Sequence, residues 1–458
     1  MKPTSGPTPT DEKLDFKQIL PIFIIVLVDL LGLTIIIPLL PLYAASFGAN
    51  ALLIGLLGAS YPLMQFFGAP ILGRLSDKYG RKPILIISQL GTLLGFILLG
   101  LANTLPLLFI SRIIDGVSGA NIATAQAAIS DSTTEKTRTQ GLGLIGAAFG
   151  LGFIIGPILA FVSLAVSNNN YHVPAFVAAF FSAVSILLTT FWFKESLPPE
   201  KRGQNKESRS HSIGAMVKAV SHPAVGILLV LMFAQQLAFG GFEQILALFT
   251  LNRLGLNASG NAVVFVFVGV IIVAVQGGLI GRWSRKYGDR QLIYAGLGLL
   301  AVGLTLVGLT PKNPVPWYSR AELEAELTAD SNTPSEQLAG QEIAIAIPDD
   351  DNTGWLGLGW ILVVMIPVAI GGGILHPAIN SLITKRTDPR EIGAMLGISA
   401  AFFSAANALA PLIGGAVFQA LGSTSPFVLW GLLMAVLFYV ALRFLRPGKE
   451  EIVAGTAA

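Results

Sequence analysis

The chain has 458 residues, of which 53% are hydrophobic and 12% are charged, and its formal net charge is +3. Soluble domains carry about 25% charged residues, so this chain has too few polar groups to cover a water-facing surface of its size. Cysteine is absent, which excludes disulfides, thiolate metal sites and a cysteine nucleophile. The composition indicates a polytopic membrane protein, and no residue pattern suggests an enzyme, a metal or cofactor site, or a nucleic-acid partner.

Apolar runs long enough to span a bilayer, which takes about 20 residues, follow one another along the chain. The polar segment before the first run lacks the basic start and cleavage site of a signal peptide, so we expect that run to remain as a helix. The predicted runs are 18–44, 50–72, 84–103, 105–130, 140–166, 174–194, 223–250, 260–281, 291–310, 355–383, 391–420 and 425–446.

A long polar break between the sixth and seventh runs divides the chain into two halves. The predicted organisation is a tail at 1–17, a six-helix bundle at 18–194, a linker at 195–222, a second six-helix bundle at 223–446 with a polar insertion at 311–354, and a tail at 447–458.

The basic residues predict the orientation. Most of the 29 Lys and Arg residues fall in segments on the same side of the membrane as the N-terminus, whereas the opposite loops contain only Arg253, Lys312 and Arg320. Because basic loops stay in the cytoplasm, we expect both termini to be cytoplasmic in a multi-pass protein of the plasma or inner membrane.

One charged phrase occurs twice. GRLSDKYGRKP (73–83) follows the second run, and GRWSRKYGDRQ (281–291) follows the eighth, which is the second run of the other half. Two phrases with a proline among small residues, GFIIGPILA (152–160) and NALAPLIGG (407–415), also occupy corresponding runs. These pairs predict that the two halves are parallel repeats, as in several transporter folds.

Four phrases resemble motifs of the major facilitator superfamily. GRLSDKYGRKP resembles its loop signature, RIIDGVSGA (112–120) its fourth-helix motif, and GFIIGPILA its fifth-helix antiporter motif, although Ala160 replaces the last glycine. DLLGLTIIIPLLP (29–41) resembles the first-helix phrase of proton-coupled drug exporters, especially the tetracycline-exporter branch. The resemblance implies an all-α integral membrane protein of twelve transmembrane helices in two pseudo-symmetric six-helix bundles, with drug:proton antiport as its activity.

Ionisable residues inside the predicted runs are functional candidates, since a charge at mid-bilayer costs about 2.5–3.5 kcal/mol on insertion scales. Asp29 could exchange a proton or meet a cationic substrate; the alternative is a carboxylate satisfied by polar neighbours. Arg112 and Asp115 are three residues apart and share a helix face, so they form either a coupling pair or a static structural pair. Glu243 is a second proton-site candidate unless it lies near the outer end of its helix and is simply hydrated.

His376 can titrate at physiological pH, although a single histidine beside a proline is more often a packing residue. The resemblance implies that the first, fourth, seventh and tenth helices line a central cavity. We predict the proton as coupling ion and no cofactor. The cavity is predicted to be lined by polar and aromatic residues, which are Gln65, Asn121, Gln126, Gln235, Gln236, Phe239, His376, Asn380 and Asn407.

A separate group of residues is predicted to control opening and closing. The resemblance implies that Asp77 contacts the start of the eleventh helix and pairs with Arg81 or Arg138, which would latch the two halves together. In the second copy Arg285 replaces Asp77, so we expect a weaker latch there. The remaining candidates are small or helix-bending residues of the signature and of the fifth helix: Gly73, Gly80, Gly152, Gly156 and Pro157.

The insertion at 311–354 is acidic and polar, and Ser319 with Glu322 forms a possible capping box before a short helix. We interpret the insertion as a solvated surface segment without a metal site.

The leading hypothesis is a proton-driven exporter of lipophilic or amphipathic small molecules that works by alternating access, functions as a monomer in the lipid bilayer and has protons and substrate as its partners. An importer or a lipid-linked metabolite exporter of the same superfamily remains an alternative, as does a non-transporting membrane receptor.

Overall fold

The computed structural model describes residues 16–119, 121–133, 138–203, 219–221, 225–329, 345–387 and 392–445. Within these residues the regular structure is helical throughout, and we number sixteen helices in chain order. The helices of the first half (the N-half) are α1 Phe16–Ile36, α2 Leu40–Ser46, α3 Ala51–Tyr79, α4 Arg81–Gly100, α5 Leu105–Ser118, α6 Asn121–Asp131, α7 Arg138–Val166 and α8 His172–Phe191.

The second half (the C-half) begins after the linker. Its helices are α9 Gly226–Leu254, α10 Ala258–Val273, α11 Ile280–Tyr287, α12 Asp289–Gly308, α13 Arg320–Ala329, α14 Leu356–Arg386, α15 Ile392–Leu421 and α16 Ser425–Phe444. A π-helical stretch, Ala274–Leu279, joins α10 to α11 without a break. Helix α13 lies in the insertion, so the predicted short helix after Ser319 is confirmed.

Each of the twelve predicted runs contains helix, which confirms the all-α membrane fold. In the described part of the chain, ten helices are long and apolar enough to cross a membrane. The fourth run falls short because it is divided into α5 and α6, and the apolar part of the fifth is a shorter stretch, 150–166. Large apolar side chains such as Phe180, Val302 and Tyr439 are exposed, which suits a surface that faces lipid.

The charged phrase that suggested a loop is mostly helical, which corrects the expectation that residues 73–83 form a loop. Helix α3 continues to Tyr79, and the chain turns only at Gly80, whose φ is +105°. The second copy behaves alike, since α11 ends at Tyr287 and Gly288 has a φ of +80°. Only glycine occupies this backbone region readily, so the second glycine of each phrase makes the turn.

Most of the packing between the halves comes from two helix pairs. Helix α3 packs along α15, and α7 packs along α10. Gly55 of α3 lies directly against Pro411 and Gly415 of α15, and Gly269 of α10 lies against the backbone of Phe153 in α7. Small residues allow this close approach of helix backbones, which supplies packing energy where lipid provides no hydrophobic drive.

The two ends of the bundle differ. We call the end that holds the turn at 47–50, the turn at 167–171 and the insertion the insertion face, and the end that holds Gly80 and Gly288 the signature face. Among the described residues, the hydrogen bonds that cross between the halves all lie near the insertion face; one runs from the Ala51 amide to Gln419 Oε1 at 3.2 Å. The halves are therefore closed against each other at the insertion face.

Candidate functional site

A buried polar cluster lies in the N-half, where α1, α3, α4, α5 and α6 meet. Asn121 Nδ2 donates to Asp29 Oδ2 at 2.5 Å, which ties the first residue of α6 to α1. Arg112 Nη1 lies 3.1 Å from Asp115 Oδ2, and both side chains are only 2% exposed. The structure thus brings together the three charged residues that the sequence singled out in this half.

The break between α5 and α6 shapes this cluster. Gly116 and Gly119 pack against Tyr61 of α3, so closely that an added Cβ at Gly119 would lie 2.6 Å from the Tyr61 hydroxyl. Gln65, also on α3, donates to the Gly119 carbonyl at 2.9 Å. This bond replaces the backbone hydrogen bond that the carbonyl would accept in a continuous helix. Helix α6 then restarts at Asn121, whose side chain is directed toward Asp29.

A small cleft opens onto the carboxylates. Its walls include Asp29, Asp115, Asn121 and Tyr61, together with Thr92 and Phe96 of α4. The Arg112 guanidinium lies 5.5 Å from the centre of the Phe96 ring, a distance that allows a cation–π contact. Sequence reasoning missed Thr92 and Phe96, because an uncharged residue within an apolar run carries no signal that distinguishes a cavity from lipid.

Neighbouring side chains satisfy only part of this cluster's hydrogen-bonding capacity. Within the described residues, Asp29 Oδ1 and the Arg112 Nε and Nη2 groups have no hydrogen-bond partner. Buried polar groups are nearly always paired, and the exceptions are often functional. The arrangement can therefore accept a proton or contact a polar substrate group at the cleft.

A second polar group lies in the C-half on α9, α14 and α15, and it consists mainly of amides. Gln236 Nε2 donates to Asn407 Oδ1 at 2.7 Å. Asn380 links two neighbours, because Ser399 Oγ donates to its Oδ1 at 2.9 Å and His376 Nε2 lies 3.1 Å from its Nδ2. These contacts join four predicted cavity residues into two hydrogen-bonded sets.

The other candidates in this half lie outside these two hydrogen-bonded sets. Phe239 packs against Gly372 of α14 and lies 5.7 Å from the Phe242 ring. Gln235 is buried, and Glu243 is half-buried; each has a side-chain oxygen, Oε1, without a hydrogen-bond partner among the described residues. Gln126 of the N-half is exposed and belongs to neither group, so its role in a cavity stays a prediction.

The predicted gating residues form a network at the signature face. Arg81 is buried, with its guanidinium 2.7 Å from Asp77 and 2.9 Å from Asp131. It also donates to Ser76 Oγ at 2.6 Å. The predicted pairing of Asp77 with Arg81 is present. The Arg138 side chain lies outside the described residues, and so do residues 388–391, which precede α15. Helix α15 is the eleventh of the predicted transmembrane runs, so a contact of Asp77 with its start stays a prediction.

The second copy carries its acid at a different position, and whether it latches the two halves more weakly stays a prediction. Asp289 follows Gly288 and is buried, and its carboxylate accepts from Lys385 Nζ at 2.6 Å, Ser381 Oγ at 2.6 Å and Ser284 Oγ at 2.5 Å. The acid has moved by four residues, from the position of Asp77 to that of Arg81.

The fifth-helix motif packs within the N-half. Gly152 and Gly156 of α7 face Thr34 of α1, with Gly156 in direct contact, and Pro157 is buried inside α7. An added Cβ at Gly156 would overlap Thr34, so this glycine sets the α1–α7 distance. Whether that contact changes during function stays a prediction.

A helical bundle with this hydropathy, two helix pairs at a seam and charges buried within it is typical of a multi-pass membrane transporter. The family model of the Major Facilitator Superfamily matches residues 22–319 and 353–458, and the chain belongs to that superfamily. The match leaves out residues 320–352, which include all of α13.

Curated relatives cover most of the chain at modest identity. The class H tetracycline resistance protein of Pasteurella multocida is 27% identical over 429 residues, 93% of this chain and 94% of its own. The class B protein of Escherichia coli is 28% identical over 402 residues, 86% and 87% of the two chains. Multidrug resistance protein 1 of Bacillus subtilis (strain 168) is 26% identical over 390 residues, 85% and 86%. The resemblance to the drug-exporter branch is confirmed.

Solved structures share the fold. The human organic anion transporter MFSD10 (TETRAN) superposes with a TM-score of 0.63 at 21% identity, over 94% of this chain and 100% of that chain. The nucleoside transporter NupG gives a TM-score of 0.67 at 12% identity, over 95% and 100%. At these identities the comparison establishes architecture alone.

Proposed function

We propose that this protein exports lipophilic or amphipathic small molecules in exchange for protons, by alternating access between the two halves. The observation that carries the proposal is the buried cluster of Asp29, Asn121, Arg112 and Asp115. Two carboxylates and one guanidinium in an apolar bundle are costly, and such charges in membrane helices serve transport more often than stability. Relatives named for tetracycline and multidrug resistance support export of drug-like compounds.

Asp29 is the proposed proton carrier. One of its oxygens accepts from Asn121, and the other has no hydrogen-bond partner among the described residues, so a proton can be added without displacing the existing bond. Arg112 is already paired with Asp115, and its guanidinium does not deprotonate, so Asp29 rather than Arg112 is the group that exchanges the proton. Proton uptake at Asp29 would then change the net charge of the cleft. This change would bias the equilibrium between the two states of the protein, one open at the signature face and one open at the insertion face.

The proposed substrate surface combines both polar groups. Tyr61 and Phe96 provide aromatic faces beside the charged cluster, and Phe239 provides one beside the amide group. Aromatic faces and amides suit a flat, partly polar compound that needs few directional contacts. We further propose that the signature face is cytoplasmic and the insertion face is outer, since the signature copies carry most of the basic residues near the membrane.

The test is transport in proteoliposomes with a set pH difference, alongside drug resistance in a bacterium that lacks its own exporters. Asp29→Asn should abolish proton-driven accumulation but keep exchange of labelled substrate across the membrane, because binding and alternation remain. The matched control is Glu322→Gln, which removes an exposed carboxylate of the insertion. Undiminished proton-driven accumulation by a stably inserted Asp29→Asn protein would rule out the assigned role.

The same preparation separates export from import. With an acidic interior, vesicles that hold the protein with its signature face outward should accumulate substrate under the export mechanism. Loss of preloaded substrate under that gradient would instead support the importer alternative.

A further inference from the structure

The insertion at 311–354 is fixed to the C-half. The Val315 amide donates to the Leu254 carbonyl at 3.0 Å, and Asn252 Nδ2 donates to the Ala346 carbonyl at 2.6 Å, so both ends of the insertion are tied to the end of α9. Tyr318 packs on Gly255, the glycine that ends α9 with a φ of +65°. These contacts make the described part of the insertion a rigid extension of the C-half.

Tyr318 strengthens this attachment. Its hydroxyl donates to the Pro348 carbonyl at 2.6 Å and so joins the two ends of the insertion. Burial, with the nearby Asp350 carboxylate, raises the pKa of Tyr318 to about 12, so the hydroxyl remains a donor at any physiological pH. Leu323 and Leu327 on α13 are buried, and the helix also packs against α2 of the N-half.

Glu326 of α13 makes polar contacts with the other half. Glu326 Oε2 accepts from Asn169 Nδ2 at 3.2 Å, and Glu326 Oε1 accepts from the Tyr171 hydroxyl at 3.3 Å. Both donors belong to the turn between α7 and α8 in the N-half. Asn257 Nδ2, in the C-half, donates to the same carboxylate at 3.1 Å. A single carboxylate therefore collects three donors from both sides of the seam, and such charge-assisted bonds are the stronger kind.

The N-half presents these donors rigidly. Asn169 has a φ of 60°, a left-handed conformation that asparagine tolerates better than most residues, and its side-chain oxygen also accepts from Ser259 of the C-half. Tyr171 is fully buried and stacks on Tyr43, with 5.4 Å between ring centres. The Tyr43 hydroxyl is held in turn by the Ala102 carbonyl at 2.7 Å. Neither donor can follow Glu326 if the halves separate.

We propose that Glu326 is a gating residue, which holds the insertion face closed and so sets the equilibrium between the two open states. Opening at this face must break its bonds to Asn169 and Tyr171, while its bond to Asn257 moves with the C-half. The family match leaves out residues 320–352, so the shared family core does not supply this contact. The inference rests on the proposed function in requiring that the two halves separate at this face and that this face is the outer one.

The first test measures opening without any substrate. The chain contains no cysteine, so a single reporter cysteine can be introduced without background. Gln244→Cys serves as reporter, because Gln244 lies at the seam beside Gly58. Intact cells are treated with a membrane-impermeant maleimide. Adding Glu326→Ala should raise the labelling rate about tenfold, the effect of about 1.4 kcal/mol on the equilibrium, and Glu326→Gln should give a smaller rise.

The matched control is Glu322→Ala, which removes an exposed carboxylate of the same helix. Unchanged labelling in this control, with the predicted rise in Glu326→Ala, supports the proposal. Equal rates in Glu326→Ala and Glu322→Ala would overturn it.

A second test does not depend on how well Glu326→Ala folds. Asn169→Cys with Glu326→Cys allows the contact to be closed by a bifunctional thiosulfonate that a reductant can cleave. Closing it should stop substrate exchange in proteoliposomes, and reductant should restore it. Continued exchange by fully cross-linked protein would contradict the assignment. If instead Asp29→Asn keeps proton-driven transport while Glu326→Ala opens the face, the proton mechanism fails and the gating role stands.

Discussion

The two copies of the charged phrase share a backbone but exchange their charges. In the first, α3 ends, the chain turns at Gly80 and α4 begins with Arg81; in the second, α11 ends, the chain turns at Gly288 and α12 begins with Asp289. The serine four residues before each glycine accepts the glycine amide through its carbonyl, at 3.0 Å and 2.9 Å. The turn is therefore the same in both.

The residue after the glycine is buried in both copies and finds a partner of opposite sign at the end of a later helix. Arg81 pairs with Asp131 at the end of α6, whereas Asp289 pairs with Lys385 at the end of α14. The exchange extends to the position four residues earlier, where Asp77 corresponds to Arg285. Both ends of the motif changed sign together.

This difference shows what the repeat has retained. In each half the buried charge after the glycine joins three helix ends: Arg81 through ion pairs with Asp77 and Asp131, and Asp289 through an ion pair with Lys385 and a hydrogen bond from Ser284. The sign of this charge differs between the halves, and the sign of its partner differs with it. A buried charge without its partner is costly, whichever sign it has. The second copy therefore joins the ends of its own helices within the C-half, as the first does within the N-half.

The largest expected effect comes from giving the first copy the buried acid of the second copy while its own partners remain acidic. Arg81→Asp places a carboxylate beside Asp77 and Asp131, and we expect it to destabilise the protein by about 4 kcal/mol, within the range for breaking a buried pair. The midpoint of thermal unfolding in detergent, followed by size-exclusion chromatography of the protein that remains folded, measures the change.

The same comparison predicts a rescue. Adding Asp77→Arg and Asp131→Lys to Arg81→Asp reproduces the second copy's charges, and most of the lost stability should return. A triple variant as unstable as the single one would show that polarity itself matters and that the two copies are not equivalent.

The second prediction concerns the buried acid of the other copy. Asp289→Ala removes the acceptor of Ser284, Ser381 and Lys385, and should cost about 3 kcal/mol. We expect a smaller loss than for Arg81→Asp, because Lys385 is 47% exposed and can turn toward water. Asp289→Asn is the control, since it keeps an acceptor for the hydroxyls and should lose less in the same unfolding measurement. Equal losses for the two variants would contradict the role of the hydroxyl bonds.

Much of the fold could be predicted because the bilayer imposes it. Twelve apolar runs stand out since each must be about as long as the membrane is thick. Asp29, Arg112 and Asp115 stand out for the same reason, as charges are rare where water is absent. The break at Gly119 could not be predicted, because glycine is frequent throughout membrane helices.

Contacts between segments that are distant along the chain could not be predicted from the sequence. The role of Asp289 could not be predicted, because its partner Lys385 lies almost a hundred residues later. Glu326 lies on a polar helix that looks solvated, and its function depends on the turn that holds Asn169. Thr92 and Phe96 line the cleft only because of the way α4 is rotated. Where the role of a residue depends on pairing with a distant residue, rather than on the cost of burying a charge, the fold must be known before that role can be predicted.

The third prediction tests the turn itself. Gly80 and Gly288 have φ values of +105° and +80° with extended ψ, a region almost confined to glycine. Gly80→Ala should cost about 2 kcal/mol, since strain of this kind costs about 1–3 kcal/mol. An added Cβ would also contact Glu195, whose carboxylate accepts from the Arg81 amide at 2.9 Å. Gly288→Ala should cost less, because nothing lies within 4 Å of its added Cβ. Thermal unfolding that ranks Gly288→Ala as the worse variant would refute this difference between the copies.

The smallest expected effect separates the ion pair from the other bonds to Asp289. Lys385→Gln removes a cation that is 47% exposed, and half-exposed pairs contribute little after screening and side-chain entropy, about 0.5 kcal/mol here. Asp289 would keep its bonds to both serine hydroxyls, and its position at the first residue of α12 places it near the positive end of that helix. Raising the salt concentration should therefore shrink the difference between Lys385→Gln and the unmodified protein in thermal unfolding. A loss as large as that of Asp289→Ala would show that the lysine, rather than the hydroxyls, holds the second copy together.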